Sequence, residues 1–306
     1  MMHVIANGAG ASVAEPEARA AFAATVARAL PHARLTITDA GTDLTTLVTD
    51  LVRQGATVVA AAGGDGTVNA VASALVDTNT ALGVVPLGTL NHFAKDLGLP
   101  LDTGAALEVL ATGRVTAVDV GQVNDRIFVN NSGLGLYPEM VFNREQREKQ
   151  GAPKWRAAFV ESVRAFVRYR RLHLGLEVDG HHQHRHTPAV FVGNNEYSLD
   201  GTLAAERRSL VTGHLCLYVP HPQARLKLAW WSLRALFGNP HADHEFDKII
   251  SRGFTLQSRQ RHLRVSLDGE VTTLQPPLEY RSRPLALRVM VPGANEAPAA
   301  RLRAGR

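Results

Sequence analysis

Residues 56–75 read ATVVAAAGGDGTVNAVASAL, and this stretch decides how the rest of the chain is interpreted. Residues 56–62 are small and apolar without polar alternation, which is typical of a strand buried on both faces. The glycine-rich turn 63–67 follows at once, and a helix is predicted from there to about Leu75. A buried strand, a glycine-rich turn and a helix in this order indicate an α/β fold.

The same alternation of strand and helix continues on either side of this stretch. Further strands are predicted over 2–6, 34–38 and 81–85. Further helices are predicted over about 15–30, 42–54 and 89–97, the second of them ending at Gly55. Repeated βα units predict a parallel sheet with helices on both faces, that is, a three-layer α/β domain.

The pattern changes near Asp119, where strands become alternating and lie between turns. Strands are predicted over 114–123, 126–132, 172–178, 188–193, 213–219, 253–257, 262–268 and 285–291. Their spacing, with a hairpin turn at Asp179-Gly180, is typical of an antiparallel β-sandwich. Helices are predicted over about 153–170 and 222–237. The sequence therefore predicts an α/β domain over 1–118, a β-sandwich domain over 119–293 and a loose tail over 294–306.

Composition bounds the partners and the compartment. Lys and Arg number 33 against 28 Asp and Glu, so a net charge of +5 and 13 His bias the surface toward anions. The single cysteine, Cys216, lies in an apolar run and is interpreted as a core residue in a reducing compartment. No window is long and apolar enough for a membrane span, and no signal pattern begins the chain. A cytoplasmic protein that meets lipid only at the bilayer surface is expected.

The turn 63–67 (GGDGT) has the composition of a phosphate-binding loop. Glycines let the backbone approach a ligand closely, and the following helix N-terminus offers free N–H groups and a positive dipole end. Asp65 next to phosphate suggests a Mg²⁺-linked role. The alternative is a tight turn capped by Asp65 or Thr67.

A second turn of similar kind, 86–91 (PLGTLN), follows the strand over 81–85. Ligands of open α/β sheets bind outside the carboxyl ends of the strands, so the two turns can form one triphosphate cradle. The alternative is that Thr89 caps its own helix while Asn91 bonds locally.

A third candidate, Asp268-Gly269-Glu270, follows the strand over 262–268. Phosphoryl transfer needs positioning, charge neutralisation and a base near the nucleophile, and one of these carboxylates can take the hydroxyl proton. The alternative is an ordinary hairpin turn with solvated carboxylates.

Four segments together resemble the bacterial diacylglycerol kinase and lipid kinase family, which is related to eukaryotic diacylglycerol and sphingosine kinases. They are AAGGDGTVNAVASAL (61–75), LGVVPLGTLNHFAKDLGLP (82–100), VDVGQVNDRIFVNNSGLG (118–135) and LDGE (267–270). NAD kinases share the GGDGT turn, whereas the longer second segment with a distant DGE is far more specific. The resemblance covers nearly the whole chain.

The resemblance implies a nucleotide-binding α/β domain, a β-sandwich domain and an active site in the cleft between them, with ATP and Mg²⁺ as cofactors. It implies that ATP is bound by the residues Asn7, Thr38, Gly63, Gly64, Asp65, Gly66, Thr67, Val68, Asn69, Gly88, Thr89 and Asn91. It places Asp65 and Asp119 in the Mg²⁺ network. It makes Glu270 the general base, with Asp268 in support.

Three positions depart from the family. His92 stands where the family usually has Asp, and Ala70 where it commonly has Glu. The family's acidic structural-magnesium loop is replaced by the stretch 210–213 (LVTG), so no structural metal is expected there. Altered catalysis or a different acceptor lipid is one interpretation of these changes.

Two basic segments with aromatic residues, 154–171 and 224–237, suggest amphipathic helices at a membrane surface, with packing on the sandwich as the alternative. The histidine-rich run 181–186 is interpreted as an exposed hairpin rather than a zinc site. No nucleic-acid-reading motif is found, and a homodimer is left open.

The leading hypothesis is an ATP- and Mg²⁺-dependent kinase acting on a diacylglycerol-like membrane lipid. A catalytically degenerate lipid- or nucleotide-binding protein and an NAD kinase-like enzyme are the alternatives.

Overall fold

The computed structural model describes residues 1–8, 13–39, 41–135, 172–198, 206–220 and 246–293. These residues form two compact units. The first contains Met1–Val120, Ser209–Thr212 and the chain from Arg283 onward, and the second contains Gly121–Arg208 and Gly213–Ser282. The predicted domains were consecutive in sequence, with a boundary at residue 118. In the structure, two later segments also belong to the first unit.

Strands and helices alternate through the first part of the chain. They are β1 Met2–Asn7, α1 Pro16–Ala29, β2 Arg34–Thr38, α2 Leu44–Arg53, β3 Val58–Gly63, α3 Asp65–Leu75, β4 Ala81–Pro86, α4 His92–Asp96 and α5 Thr103–Thr112. Strands follow: β5 Arg114–Val123, β6 Arg126–Phe128, β7 Asn131–Gly135, β8 Leu172–Val178, β9 His181–Thr187, β10 Ala189–Asn194, β11 Tyr197–Ser198 and β12 Glu206–Arg207. The last are β13 Leu215–Pro220, β14 Phe246–Ser251, β15 Gly253–Ser258, β16 Leu263–Leu267, β17 Glu270–Leu274 and β18 Leu278–Val291.

The first unit is built on a parallel sheet in the order β2-β1-β3-β4, and Val289 of β18 pairs in parallel with Leu82 of β4. Helices α2 and α3 pack together, as do α1 and α5. Alternate residues of β3 point to opposite faces of the sheet. On one face, Ala60 and Ala62 pack in a core with residues of α1 and α5. Helices on both faces of a parallel sheet confirm the predicted three-layer α/β fold.

Local sequence explains where several helices begin and end. Asp43 and Asp102 each accept a hydrogen bond from the backbone N–H three residues ahead, at 3.2 and 2.9 Å, and so cap α2 and α5. Beyond α2, Gly55 adopts φ 83°, a conformation that costs glycine little. Helix α5 was not predicted from the sequence.

The second unit is antiparallel. One sheet has the order β14-β13-β10-β7-β16-β17. Strands β8, β9 and β15 form the other with the first residues of β18, and residues 121–123 of β5 pair with β6. Apolar residues of both sheets share one core, including Leu174, Val192 and Val265, which confirms the predicted sandwich. Cys216 lies in β13, is buried as predicted, and its thiol pKa is raised by burial.

Several boundaries differ from the prediction. The strand predicted over 126–132 is two strands, because the N–H groups of Val129 and Asn130 donate to a side-chain carboxylate instead of a ladder. Helix α4 begins at His92 rather than near residue 89. Strands β11, β12, β14 and β17 were missed, and the strand predicted over 285–291 is the end of a longer one.

No helix among the described residues is long and apolar enough to cross a membrane. The helices predicted over 153–170 and 222–237, and the tail over 294–306, lie outside the described residues.

Candidate active site

The turn after β3 opens directly onto a helix. Helix α3 begins at Asp65 with Gly64 as its N-cap, and within the described part of the chain no side chain caps it. Its first backbone bond runs from Val68 N–H to the Gly64 carbonyl at 3.1 Å. Gly63 is required by space, because a Cβ there would lie 2.6 Å from Thr67 Oγ1. Amide groups of the first helical turn are therefore presented at the carboxyl end of β3, where an anion is bound most readily.

The second glycine turn contacts the first. A Cβ on Gly88 would lie 2.6 Å from Gly64 Cα, and Leu87 N–H donates to the Gly63 carbonyl at 3.0 Å. The Asn91 side chain closes the turn, since it accepts from Gly88 N–H and donates to the Gly88 carbonyl, at 3.0 and 2.8 Å. The backbone-to-backbone contact holds the predicted turns together at the ends of neighbouring parallel strands.

Thr89 does not cap a helix. Asn91 is the N-cap of α4 and has φ 50°, without a side-chain capping bond. Thr89 is exposed at the tip of the turn, three residues before the helix. The alternative in which Thr89 is only a helix cap is therefore wrong, whereas the local bonding predicted for Asn91 is confirmed.

Asn7 ends β1, the strand beside β3, and Thr38 ends β2, the next strand along the sheet. Asn7 Nδ2 donates to Thr67 Oγ1 at 3.3 Å, and Thr38 Oγ1 donates to the Ala6 carbonyl at 3.2 Å. In the sheet order β2-β1-β3-β4, the chain adds strands on one side of β1 and then on the other, so a topological switch point lies between β1 and β3. Ligands of doubly wound sheets bind at such switch points. The predicted residues Asn7, Thr38 and Thr67 are thus together at the switch point.

Arg19 is a neighbour that sequence reasoning missed. Its guanidinium donates from Nε to the Val13 carbonyl at 2.8 Å and from Nη2 to the Gly8 carbonyl at 3.1 Å. A fixed positive charge therefore lies directly after β1, near Asn7. An arginine early in a helix after the first strand is the only sequence signal that points to it.

The rest of the first motif is divided between surface and core. The Val68 side chain is buried, so only its backbone can face a ligand. Asn69 Oδ1 accepts a hydrogen bond from Ser73 at 3.0 Å. Asp65 Oδ1 accepts from Phe93 N–H at 3.5 Å, so this carboxylate links the first turn to the start of α4.

Asp119, the second carboxylate predicted for Mg²⁺, is buried in β5. Its Oδ1 accepts from Leu285 N–H and its own N–H donates to the Leu210 carbonyl, both at 2.9 Å. Leu210 belongs to the stretch that replaces the acidic loop, and its side chain is buried. Among the described residues, no three His, Cys, Asp or Glu side chains are grouped as metal ligands.

In the second unit, Asp268 and Gly269 form the turn between β16 and β17, with φ 49° and 90°. The Asp268 carboxylate accepts three backbone N–H groups, from Val129, Asn130 and Asn131, at 2.7, 2.7 and 2.9 Å. Burial raises the pKa of Asp268 to about 6, against the opposing effects of these amides and of Arg207. Asp268 therefore fixes the turn, while Glu270 is exposed at the start of β17.

Arg207 is a buried arginine that the sequence did not indicate. Its Nη1 donates to the Val129 carbonyl at 2.6 Å and its Nη2 to Asn130 Oδ1 at 3.1 Å. Tyr197 Oη also donates to the Asn130 carbonyl, at 3.1 Å. Residues 129–131 are thus hydrogen-bonded both to the Asp268 carboxylate and to the Arg207 guanidinium.

Comparison with known proteins agrees with this architecture. Residues 1–123 match the diacylglycerol kinase catalytic domain, and residues 141–291 match the YegS C-terminal NAD kinase beta sandwich-like domain. A candidate diacylglycerol kinase from Bacillus anthracis has the same fold, with TM-score 0.74 and 21% identity over 95% of this chain and 96% of that one.

Two curated relatives carry kinase names. The diacylglycerol kinase of Staphylococcus saprophyticus is 35% identical over 35% of this chain and 36% of its own length. A probable lipid kinase YegS-like protein of Pseudomonas putida is 29% identical over 83% of both chains. With both domain models matched in order and kinases among the relatives, the chain belongs to the bacterial diacylglycerol kinase and lipid kinase family.

Proposed function

We propose that the protein transfers the γ-phosphoryl group of ATP to a hydroxyl of a diacylglycerol-like lipid. The observation that carries the proposal is the contact between the turns of Gly64 and Gly88 at the ends of two adjacent parallel strands. Phosphoryl transfer depends on positioning and charge stabilisation, and both require a rigid polyphosphate site.

The residues present fit a nucleotide triphosphate. Helix α3 offers backbone N–H groups and a positive dipole end, and a Cβ at Gly88 would fill the space between the turns. Thr67, Asn7 and Arg19 add a hydroxyl, an amide and a positive charge around them. We assign the phosphates to this cradle, with Thr38, Thr89 and Asn69 as further polar contacts to ATP.

The carboxylates of Asp65 and Asp119 fit a hard cation such as Mg²⁺, which prefers oxygen ligands and keeps several waters. Bound with ATP, the ion would neutralise charge on the phosphates. Asp65 is held by Phe93 N–H and Asp119 by Leu285 N–H, so each carboxylate has a fixed orientation. His92 is exposed at the start of α4 and offers an imidazole where the family has a carboxylate.

Glu270 is assigned as the general base. It removes the hydroxyl proton as the lipid oxygen bonds to the γ-phosphorus and the bond to the departing ADP oxygen breaks. The three amides on Asp268 fix the preceding turn, so Asp268 supports Glu270 by position. Relatives named as kinases of diacylglycerol and lipid support the acceptor class.

The test incubates the full chain with γ-labelled ATP, Mg²⁺ and mixed micelles of a total lipid extract, followed by unbiased phospholipid profiling. A new labelled lipid is expected. Folded protein that labels no neutral lipid would overturn the proposal. Lipid binding without ATP consumption would identify a degenerate binding protein, and NADP formation in a coupled assay would identify an NAD kinase.

We further propose a cytoplasmic location with peripheral contact at the inner membrane face, because the acceptor is held in a bilayer. Flotation with lipid vesicles tests that contact, and sedimentation at several concentrations tests the homodimer.

A further inference from the structure

A row of imidazoles lies on one face of the hairpin β8–β9. The turn residues Asp179 and Gly180 have φ 49° and 78°, and the register then sets His173 opposite His186. The alternate residues Leu172, Leu174 and Leu176 of β8 belong to the sandwich core. His173 therefore points to the outer face, and its partner His186 is on the same face.

His173 and His186 are already in contact. Their ring centroids are 4.4 Å apart with an interplanar angle of 87°. Counting from the two-residue turn, pairs alternate between hydrogen-bonded and non-hydrogen-bonded positions, and this pair falls in the second class. Cross-strand side chains approach each other most closely there, since the Cα atoms are about 4.5 Å apart.

His184 supplies a third imidazole beside the pair. It precedes His186 by two residues on β9 and so projects from the same face. Its cross-strand partner is Gly175, which has no side chain to fill the space between the strands. His184 and His186 are both exposed, so water and ions reach them directly.

The exposed hairpin predicted for residues 181–186 is confirmed, and its register adds His173 of β8 to that run, which changes the interpretation that set zinc aside. We propose that His173 and His186, with His184 as the third donor, bind a transition-metal ion such as Zn²⁺. Imidazole nitrogen suits Zn²⁺, Cu²⁺ and Ni²⁺, whereas Mg²⁺ requires oxygen, so the site is separate from the kinase chemistry and does not depend on it. Since no three such side chains stand in a ligating arrangement within the described residues, binding requires the three imidazoles to turn toward a common point. Exposed side chains change rotamer within nanoseconds, which makes that movement easy.

A metal bound here would cross-link the edge strand β9 to its neighbour β8. Strand β9 ends its sheet, and β8 is the strand with which it pairs. A ligand that binds only the folded chain stabilises it by mass action, so Zn²⁺ should raise the midpoint of thermal unfolding.

The test is calorimetric titration of the full chain with ZnCl₂, compared across single variants. His173→Ala and His186→Ala should each weaken Zn²⁺ binding by about tenfold or more, and His184→Ala should weaken it less. His181→Ala is the matched control, because its side chain projects from the opposite face of the same strand and should leave binding unchanged.

A spectroscopic readout identifies the ligands directly. On adding Zn²⁺, imidazole ¹⁵N resonances of His173 and His186 should shift, and Mg²⁺ should leave them unmoved. Equal Zn²⁺ affinity of wild type and of a His173→Ala, His186→Ala double variant would overturn the proposal, as would imidazole resonances that ignore Zn²⁺. Circular dichroism checks that each variant keeps its fold.

Discussion

At the scale of single residues, the contact between the two glycine turns makes an asymmetric prediction. Gly88→Ala should lower the free energy of unfolding by about 1–3 kcal/mol, because the new Cβ would lie 2.6 Å from Gly64 Cα and the turns must separate. Gly64→Ala places its Cβ 3.5 Å from Gly88 Cα, an ordinary contact, and should leave that free energy nearly unchanged. Urea unfolding of both variants measures the difference, and equal effects would contradict the geometry.

Asp268 makes a prediction about pH. Its pKa of about 6 lies above the usual pKa of 3.8 for this carboxyl group, so the folded state binds this proton more tightly than the unfolded state does. Its stabilising contribution is therefore complete below about pH 4 and is lost as pH rises through 6. The Asp268 carboxyl ¹³C resonance should titrate near pH 6, and Asp268→Asn should remove this part of the pH dependence of unfolding. A midpoint near 4 would contradict the effect of burial.

The sequence predicts the parts of the site whose contacts are local in the chain, and it does not predict contacts between residues far apart in sequence. The turns containing Gly64 and Gly88 are local and carry their own composition, so their place at the strand ends was predictable. The bonds from Asp268 to Val129 and Asn130 span 139 and 138 residues, and nothing local to Asp268 announces them. Arg207 is likewise unremarkable in its own segment, and only the packing of the sandwich shows that it is buried.

At the scale of elements, the segment between β6 and β7 depends on adjacent arginines to very different extents. Arg207→Met should cost about 1–3 kcal/mol, because it leaves buried Asn130 Oδ1 without its charged donor, while the Val129 carbonyl keeps the bond from Asn194 Nδ2. Arg208→Met is the matched control: its side chain is 59% exposed and pairs with Glu196 at 3.5 Å, so about 1 kcal/mol or less is expected. Chemical denaturation of the two variants measures both values, and similar losses would show that Arg207 does not clamp this segment.

The elements themselves were predictable where burial follows a simple period. Strands β3 and β4 are apolar throughout, and β8 places Leu172, Leu174 and Leu176 on its core face at every second position, so these strands were found. Helix α4 begins three residues later than predicted. Asn91 has φ 50°, and its side chain bonds to Gly88 instead of capping the helix. In β18, Leu285 has φ 52° and donates its N–H to Asp119, a break in the strand that no local pattern encodes.

At the scale of the whole molecule, the residues proposed for the chemistry are divided between the two compact units. The phosphate cradle, Asp65 and Asp119 belong to the first, and Asp268 and Glu270 to the second. The units are also not consecutive in sequence, since 209–212 and the chain from Arg283 return to the first unit. Asp119 shows the consequence, because its backbone and carboxylate bond to Leu210 and Leu285, one from each returning segment.

Because the residues proposed to bind ATP and the proposed general base belong to different units, we expect mutations to affect nucleotide binding and turnover separately. Glu270→Gln should lower kcat by about 10²–10⁴-fold, as loss of a general base does, while affinity for ATP stays near that of wild type. Asp65→Asn should instead weaken binding of ATP in the presence of Mg²⁺, because its carboxylate lies beside the glycine turns. Glu279→Gln is the control within the second unit, since that side chain is 50% exposed and pairs with Arg281. Steady-state kinetics together with equilibrium nucleotide binding distinguishes the variants. If the Glu270→Gln enzyme kept full turnover, Glu270 would not be the general base. The reaction would then use another base or none, which a largely dissociative phosphoryl transfer permits.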